Sequence, residues 1–331
     1  MKFCSASIAA IIVAAGLLAL GPKHIQPGTP ATGDATLTAA LIRNHKAGQH
    51  NLTAFTISGD QTTFAGLGSD KNTEVEIGSV SKMFTAELLH QEIKSGNLRL
   101  NTTVGELIEA GNTPVSAVTL RELMDHTSGL PRLANNNPFA GVTSAFTSSN
   151  PYQGETVADI VRAATQSNLT GRGERSYSNL GYALLGHLLE RSTGKPYAEL
   201  VRERIFSPAN MTETYVMTPG SVPADAPRGR LVRGGAADPW EMSGYAPAGG
   251  IRSNAHDISK FARWMMDNGD FSYGWLANSP EDGGGYWHNG GTYGYSTMLI
   301  INPENRQAVF VSNDTRIGVE PLARTLKKEL Q

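Results

Sequence analysis

Apolar positions change period several times along the chain. Val80, Phe84 and Leu88, joined by Met83 and Leu89, recur at helical spacing and predict a helix over Val80–Lys94, ended by Ser95-Gly96. Leu37–His45 reads as a shorter helix. Two β-type runs follow, Leu52–Ser58 and Thr62–Gly66, meeting at Gly59-Asp60 as a hairpin would. Further on, Thr119-Leu120-Arg121-Glu122 has the spacing of a capping box and opens a short helix to Asp125. Thr156–Ser167, Asn179–Glu190 and Tyr197–Ile205 are additional helical segments, the last stopped before Pro208. Strand patterns return in Tyr293–Ile301 and Gln307–Ser312, around the turn Asn302-Pro303-Glu304-Asn305, and Val319–Leu330 closes the chain as a helix. Strands at both ends with helices between them predict one antiparallel sheet shared by the termini. The middle helices then form a second lobe, roughly residues 95–200. Pro131–Glu155 and Thr218–Gly250 are long irregular stretches rich in Pro, Gly and Asn, of the kind that shapes a site or stays mobile.

Composition narrows the choice. At 331 residues with 40% hydrophobic content, the chain can bury one large domain or two smaller ones sharing a core. Its 28 basic and 30 acidic residues nearly cancel, so no electrostatic footprint for nucleic acid is present. Cys4 is the single cysteine, which excludes an intramolecular disulfide, a cysteine-based zinc site and a cysteine nucleophile in the folded part. It also precedes the apolar run Ser5–Leu20 where a lipobox cysteine would follow it, which disfavours a lipoprotein. That run is shorter than the ~20 residues of a spanning helix and long for a signal core. Residues 1–20 therefore read as an export signal or a retained N-terminal membrane anchor, and residues 21–36, rich in Pro, Gly and Thr, as a flexible tether. An extracytoplasmic domain over residues 37–331, touching membrane only through its N-terminal segment, is the expectation.

No serine lies in Gly-x-Ser-x-Gly and no His-Glu-x-x-His occurs, so neither an α/β-hydrolase elbow nor a zinc hydrolase is supported. Ser-x-x-Lys occurs twice. Ser192–Lys195 runs into Pro196 and reads as a helix end, and Gly194-Lys195 lacks the rest of a phosphate-binding loop. Ser79-Val80-Ser81-Lys82 opens the strongest helix, where residues three apart share a face and Lys82 can reach the Ser79 oxygen. The N-terminal end of a helix also favours an oxyanion. Taken alone, the motif is equally compatible with an N-cap serine and a solvated lysine. Two further segments break the tie. Tyr177-Ser178-Asn179 stands at the mouth of a helix, and Trp287-His288-Asn289-Gly290-Gly291-Thr292 precedes a β-run.

In this order, and with Gly78–Thr85, Leu123–Pro131, Pro247–Ile251 and Asp257, the chain resembles the class C serine β-lactamases and their relatives. Those include D-alanyl-D-alanine carboxypeptidases, D-aminopeptidases and β-lactamase-type esterases. The resemblance covers roughly Leu37 to Gln331. It implies an α/β (α+β) penicillin-binding fold, an antiparallel sheet flanked by helices plus an all-helical lobe, with the active site between them and no cofactor or metal. By the same resemblance Ser79 is the acylated nucleophile, Lys82 tunes it, and Tyr177 moves the proton to the leaving group and helps activate the deacylating water. Asn179 would bind the substrate amide or orient Lys82, and the backbone N–H groups of Ser79 and Gly291 would form the oxyanion hole.

The third motif departs from the Lys-Thr-Gly of class C β-lactamases and reads His288-Asn289-Gly290. An imidazole with its ordinary pKa near ~6.5 is mostly neutral at neutral pH. That argues against an efficient β-lactamase, and turnover of a carboxylate-bearing substrate should fall above about pH 7 as His288 loses its proton. His126 is expected to be structural, with a relay to an aspartate as the alternative. For Trp240, Tyr245, Tyr286 and Tyr293, core packing and pocket lining are equally open. D-amino-acid peptides of the cell-wall type are the first expected substrates, small esters the second and β-lactams the third. A penicillin-binding sensor without turnover is the non-enzyme alternative, and a purely adhesive domain would have no reason to hold these motifs.

Overall fold

A computed structural model describes residues 25–134, 149–231 and 234–330. The export or anchor segment 1–20 and the start of the tether lie outside the described residues, as does most of the first long loop. No helix of the described residues is long and apolar enough to cross a membrane.

In chain order the elements are β1 (Ala31–Gly33), α1 (Ala35–Asn44), β2 (Leu52–Ser58), β3 (Gln61–Leu67), β4 (Val75–Glu76), a 3₁₀ turn (Gly78–Val80) and α2 (Ser81–Lys94). The middle of the chain holds α3 (Val104–Leu107), α4 (Leu120–Met124), α5 (Val157–Gln166), α6 (Asn179–Thr193) and α7 (Tyr197–Val201). Then come β5 (Tyr215–Val216), α8 (Ala246–Gly249), β6 (Ile251–Ser253), α9 (Ala255–Asn268), β7 (Leu276–Ala277), β8 (Tyr286–Gly291), β9 (Ser296–Asn302), β10 (Gln307–Asn313) and α10 (Glu320–Lys328).

Among the described residues, seven strands form one antiparallel sheet in the order β1-β3-β2-β10-β9-β8-β7, so the two ends of the chain meet at β2 and β10. The β2–β3 hairpin turns at Gly59-Asp60 with Ser58 opposite Gln61, and Gly59 takes a positive φ. Capping explains several helix starts: Asp34 accepts from the Leu37 N–H, and Thr119 and Thr156 form capping boxes with Glu122 and Asp159.

Every residue of β9 is buried. Its alternation divides two cores: Leu299 and Ile301 join Phe55, Phe310 and Phe84 on one face, while Met298 and Ile300 join Leu41, Val309 and Leu322 on the other. Such a strand is covered on both faces and carries no polar side. The helices α2, α6 and α9 bury their leucines and phenylalanines in the first core.

Several expectations shift. The tether is shorter than residues 21–36, because Ala31–Gly33 pairs with β3 as an edge strand and Asp34 caps α1. The strand expected from Tyr293 begins at Ser296, because the Thr292 side chain accepts from the Gly294 and Tyr295 amides and closes a turn there. The segment preceding it, Tyr286–Gly291, is itself a strand. Helix α9 is missing from the sequence reading, as is the small sheet β4-β6-β5. The helix over Tyr197–Ile205 becomes α7 followed by a wider π turn, Arg202–Phe206.

Candidate active site

Ser79 lies in the 3₁₀ turn that leads into α2, pressed against the end of β8. Two glycines allow that approach. A Cβ on Gly78, whose φ is +51°, would stand 2.6 Å from the Gly291 nitrogen, and one on Gly290 would stand 2.0 Å from the Ile77 carbonyl oxygen. The backbone amides of Ser79 and Gly291 are thereby brought to one end of the cleft.

The Ser79 hydroxyl has two neighbours that can exchange protons with it. Lys82 Nζ is 3.1 Å from Oγ, and the Tyr177 hydroxyl donates to Oγ at 2.7 Å. Lys82 is fully buried, and its other two donors reach Asn179 Oδ1 at 2.9 Å and the Ala248 carbonyl at 2.5 Å. Three acceptors thus surround an amine that has three donors when charged. Burial pulls the Lys82 pKa below its ordinary value while the neighbouring Tyr177 pushes it back up. The amine lies within hydrogen-bond reach of the Ser79 oxygen, the geometry that proton transfer between them needs.

Tyr177 is wedged between cations and rings. Lys82 Nζ lies 4.9 Å and the Arg132 guanidinium 5.1 Å from its ring centroid, and the His126 ring packs on it at 4.4 Å. His126, at φ +62°, accepts from the Ser178 N–H through Nδ1 and its carbonyl accepts from the Ser176 N–H. It grips the Tyr-x-Asn segment from both sides, and among the described residues no aspartate hydrogen-bonds its ring. Burial, with Lys82 next, lowers its pKa to about 3 and keeps it neutral. Asn179 spans the cleft floor: Oδ1 accepts from Lys82 and Nδ2 donates to the Tyr152 hydroxyl at 3.2 Å.

His288 behaves differently from the expectation. It is 4% exposed, its Nδ1 donates to the Asn289 carbonyl at 2.7 Å, and it lines neither cavity at Ser79. Burial, then the nearby Lys82 charge, pushes its pKa down to about 3. It therefore does not titrate near neutrality, and the fall in turnover above pH 7 loses its basis.

Two cavities meet at Ser79, one of about 500 Å³ that includes Tyr177, Gly290 and Gly291 in its wall, and one of about 60 Å³. Arg132 borders both, and Arg316 and Glu320 border the wider one. A larger void of about 690 Å³, between α5 and Leu130-Pro131, has no serine–lysine pair in its wall. Trp240 lines both site cavities, Tyr293 the wider and Tyr245 the narrower, whereas Tyr286 stacks on Phe271 away from them. Arg132 and Tyr152 escaped the sequence reading. Arg132 directly follows the Leu123–Pro131 segment and was within reach of it; nothing near Tyr152 marked it. Asp257, quoted with the motifs, sits elsewhere and accepts from the Glu213 amide and Thr214 hydroxyl. Ser192–Lys195 is a helix end, with Gly194 left-handed and Lys195 paired to Glu203.

Known proteins resemble this chain in sequence and in fold. The chain is 29% identical over 285 residues to "Penicillin-binding protein 4*" of Bacillus subtilis (strain 168), covering 73% of this chain and 61% of the relative. It is 26% identical over 233 residues to the "D-alanyl-D-alanine-carboxypeptidase/endopeptidase AmpH" of Escherichia coli (strain K12), covering 66% and 57%. The match thus spans little more than half the length of these curated relatives. In fold, it resembles a class C beta lactamase from Rhodobacter sphaeroides with a TM-score of 0.72 at 20% identity, over 89% of this chain and 98% of the other. The family model described as "Beta-lactamase" matches residues 38–329, nearly the whole described fold, and the chain belongs to that family.

Proposed function

We propose that this chain is an exported serine hydrolase that acts through an acyl-Ser79 intermediate, with D-amino-acid peptides of the cell-wall type as substrates. The observation that carries the reading is the Ser79 oxygen lying within hydrogen-bond reach of both Lys82 Nζ and the Tyr177 hydroxyl. The Ser79 oxygen attacks the substrate carbonyl carbon as its proton passes to the Lys82–Tyr177 pair. The carbonyl oxygen, now negative, takes the backbone N–H groups of Ser79 and Gly291, where one such donor typically contributes about 3–4 kcal/mol to the transition state. Tyr177 then gives a proton to the leaving nitrogen or oxygen, and the carbon–leaving-group bond breaks. Water enters, yields a proton to the same pair and releases the acid from Ser79.

Export is supported by the apolar pattern of Met1–Leu20. A peptide carboxylate cannot pair with neutral His288. Arg132 and Arg316 on the cleft rim supply positive charge instead, and neither makes an ion pair among the described residues. The relative named as a D-alanyl-D-alanine carboxypeptidase/endopeptidase favours the peptide reading. Ester cleavage is the second reading, favoured by the uncharged third motif.

The test is intact mass after incubation with benzylpenicillin, beside Ser79→Ala. A persistent adduct lost in the variant is the expected result. No adduct, with 4-nitrophenyl esters turned over by the unmutated protein only, moves the assignment to the esterase branch. A single stoichiometric burst with no turnover of ester or peptide would reduce the protein to a sensor.

A further inference from the structure

When Tyr177 gives its proton to the leaving group, its phenol oxygen becomes negative and stays so until a proton returns. Neither buried histidine of the site supplies a cation for that charge. His126, whose ring packs 4.4 Å from that of Tyr177, and His288 in the third motif are both kept neutral by burial. Two cations do face the Tyr177 ring: Lys82 Nζ lies 4.9 Å from its centroid and the Arg132 guanidinium 5.1 Å.

The two differ in what else they do. Lys82 takes part in the proton exchange, and its donors are committed to Ser79, Asn179 and Ala248. A guanidinium neither gives nor takes a proton, and Arg132 makes no ion pair among the described residues that would cancel its charge. That charge reaches into the site. Burial is the main cause that lowers the Lys82 pKa, Tyr177 opposes it, and Arg132 adds to the lowering. Backbone contacts fix where the residue stands: the Arg132 carbonyl accepts from the Asn179 and Leu180 amides at 3.0 and 3.2 Å, at the start of α6. The residue itself is exposed, so its side chain can be changed without removing those bonds.

We propose that Arg132 is a positioning residue for the acyl transfer: laid over the Tyr177 ring, its guanidinium stabilises the phenolate formed as Tyr177 protonates the leaving group. In that step the bond from the carbonyl carbon to the leaving oxygen or nitrogen breaks. The Tyr177 proton goes to the leaving atom, and the proton taken from Ser79 passes from Lys82 to Tyr177. The two rim arginines then divide the work. Arg316, which borders the wider cavity and not the narrow one, remains for a substrate carboxylate. The inference rests on the serine-hydrolase reading.

The experiment compares kcat/KM of the full chain for 4-nitrophenyl acetate and benzyl acetate. Both esters are uncharged, so any carboxylate binding by Arg132 is silent, and both pass through the same acetyl-Ser79. 4-Nitrophenolate leaves without a proton, whereas the benzyl alkoxide needs one. Arg132→Gln should lower kcat/KM for benzyl acetate about tenfold and leave 4-nitrophenyl acetate within about twofold, a size between the worth of a unit charge near a protein surface and in bulk water. Arg132→Lys, which keeps the charge, should lose less on benzyl acetate. Equal loss on the two esters, or no loss on either, in a folded Arg132→Gln overturns the assignment and leaves the serine reading standing, provided Ser79→Ala is inactive. So does an Arg132→Lys as slow as Arg132→Gln on benzyl acetate. Hydrolysis that persists in Ser79→Ala, or no turnover of either ester, overturns the reading and the inference together. Should Arg132→Gln fail to fold, Arg132→Lys decides: a loss confined to benzyl acetate supports the proposal, and any other pattern overturns it.

Discussion

Charge placement at single residues sets the pH behaviour. His126 and His288 are each 4% exposed, and burial holds both pKa values near about 3. An unfolded histidine takes up a proton near ~6.5, so between pH 6.5 and 3 the unfolded chain binds more protons than the folded one. Stability is therefore complete above pH 6.5 and falls as pH drops through that window, by roughly 4 kcal/mol per histidine at its lower end. Urea unfolding at steps from pH 7 to 4 should show this loss, and His126→Asn, which keeps a residue tolerant of positive φ, should make it shallower. Between pH 5.5 and 8 the shape of the pH–rate profile should be the same in His288→Asn as in the unmutated protein. Lys82 owes its lowered pKa to the same cause, burial, but it faces Ser79 while His288 bonds the Asn289 carbonyl of its own strand.

At the scale of elements, the proposed acyl transfer depends on how the 3₁₀ turn carrying Ser79 abuts β8. The i, i+3 spacing of Ser79 and Lys82 was legible because a helix face repeats with that period. The Thr119–Glu122 capping box, the β2–β3 hairpin and the β9–β10 turn were equally legible, since their signals are local. The Gly290-Gly291 pair could be singled out as a place of close backbone approach, yet only the packed structure names what approaches: the Ile77 carbonyl and Gly78. Gly290→Ala should push the two elements apart. The expected outcome is a fall in kcat of about a hundredfold or more, as for loss of an oxyanion donor, with a retained circular dichroism spectrum. Helix α9 carries a local start signal in Asn254, which accepts from the Asp257 N–H, whereas β8 is a polar, glycine-rich run without strand alternation.

Across the whole molecule, a buried ionic group ties the sheet to the cleft. Arg252 is fully buried; its Nε donates to Glu74 at 2.7 Å, its Nη2 donates to the Pro227 carbonyl, and Glu76 lies 3.8 Å from Nη1. Glu76 in turn accepts from the Trp240 amide at 3.1 Å, and Tyr295, next to the third motif, donates to Pro227. Burial raises the Glu76 pKa against the pull of Thr292 and Arg252. Removing Arg252 leaves Glu76 buried without its cation, so Arg252→Met should cost about 3–5 kcal/mol, while adding Glu76→Gln, which keeps an acceptor for the Trp240 amide, should recover part of it. Denaturant midpoints of the two variants check this. Because Trp240 hangs on Glu76, Glu76→Ala should also raise KM through the loosened cleft wall.

By itself, the sequence determined the family, the order of the motifs, the serine–lysine spacing and the sheet built from both chain ends. The family rests on a resemblance carried by the motifs, the rest on local periodicity and on residues adjacent in the chain. The tertiary structure alone decided that Lys82 is buried among three acceptors, that Tyr177 reaches Ser79 and Asn179 reaches Lys82 from about a hundred residues away, and that His288 is neutral. It also decided that Arg132, Tyr152, Trp240 and Tyr245 border Ser79. Desolvation and contacts between the two lobes exist only once distant segments pack, and no local pattern encodes how deeply a given side chain will be buried.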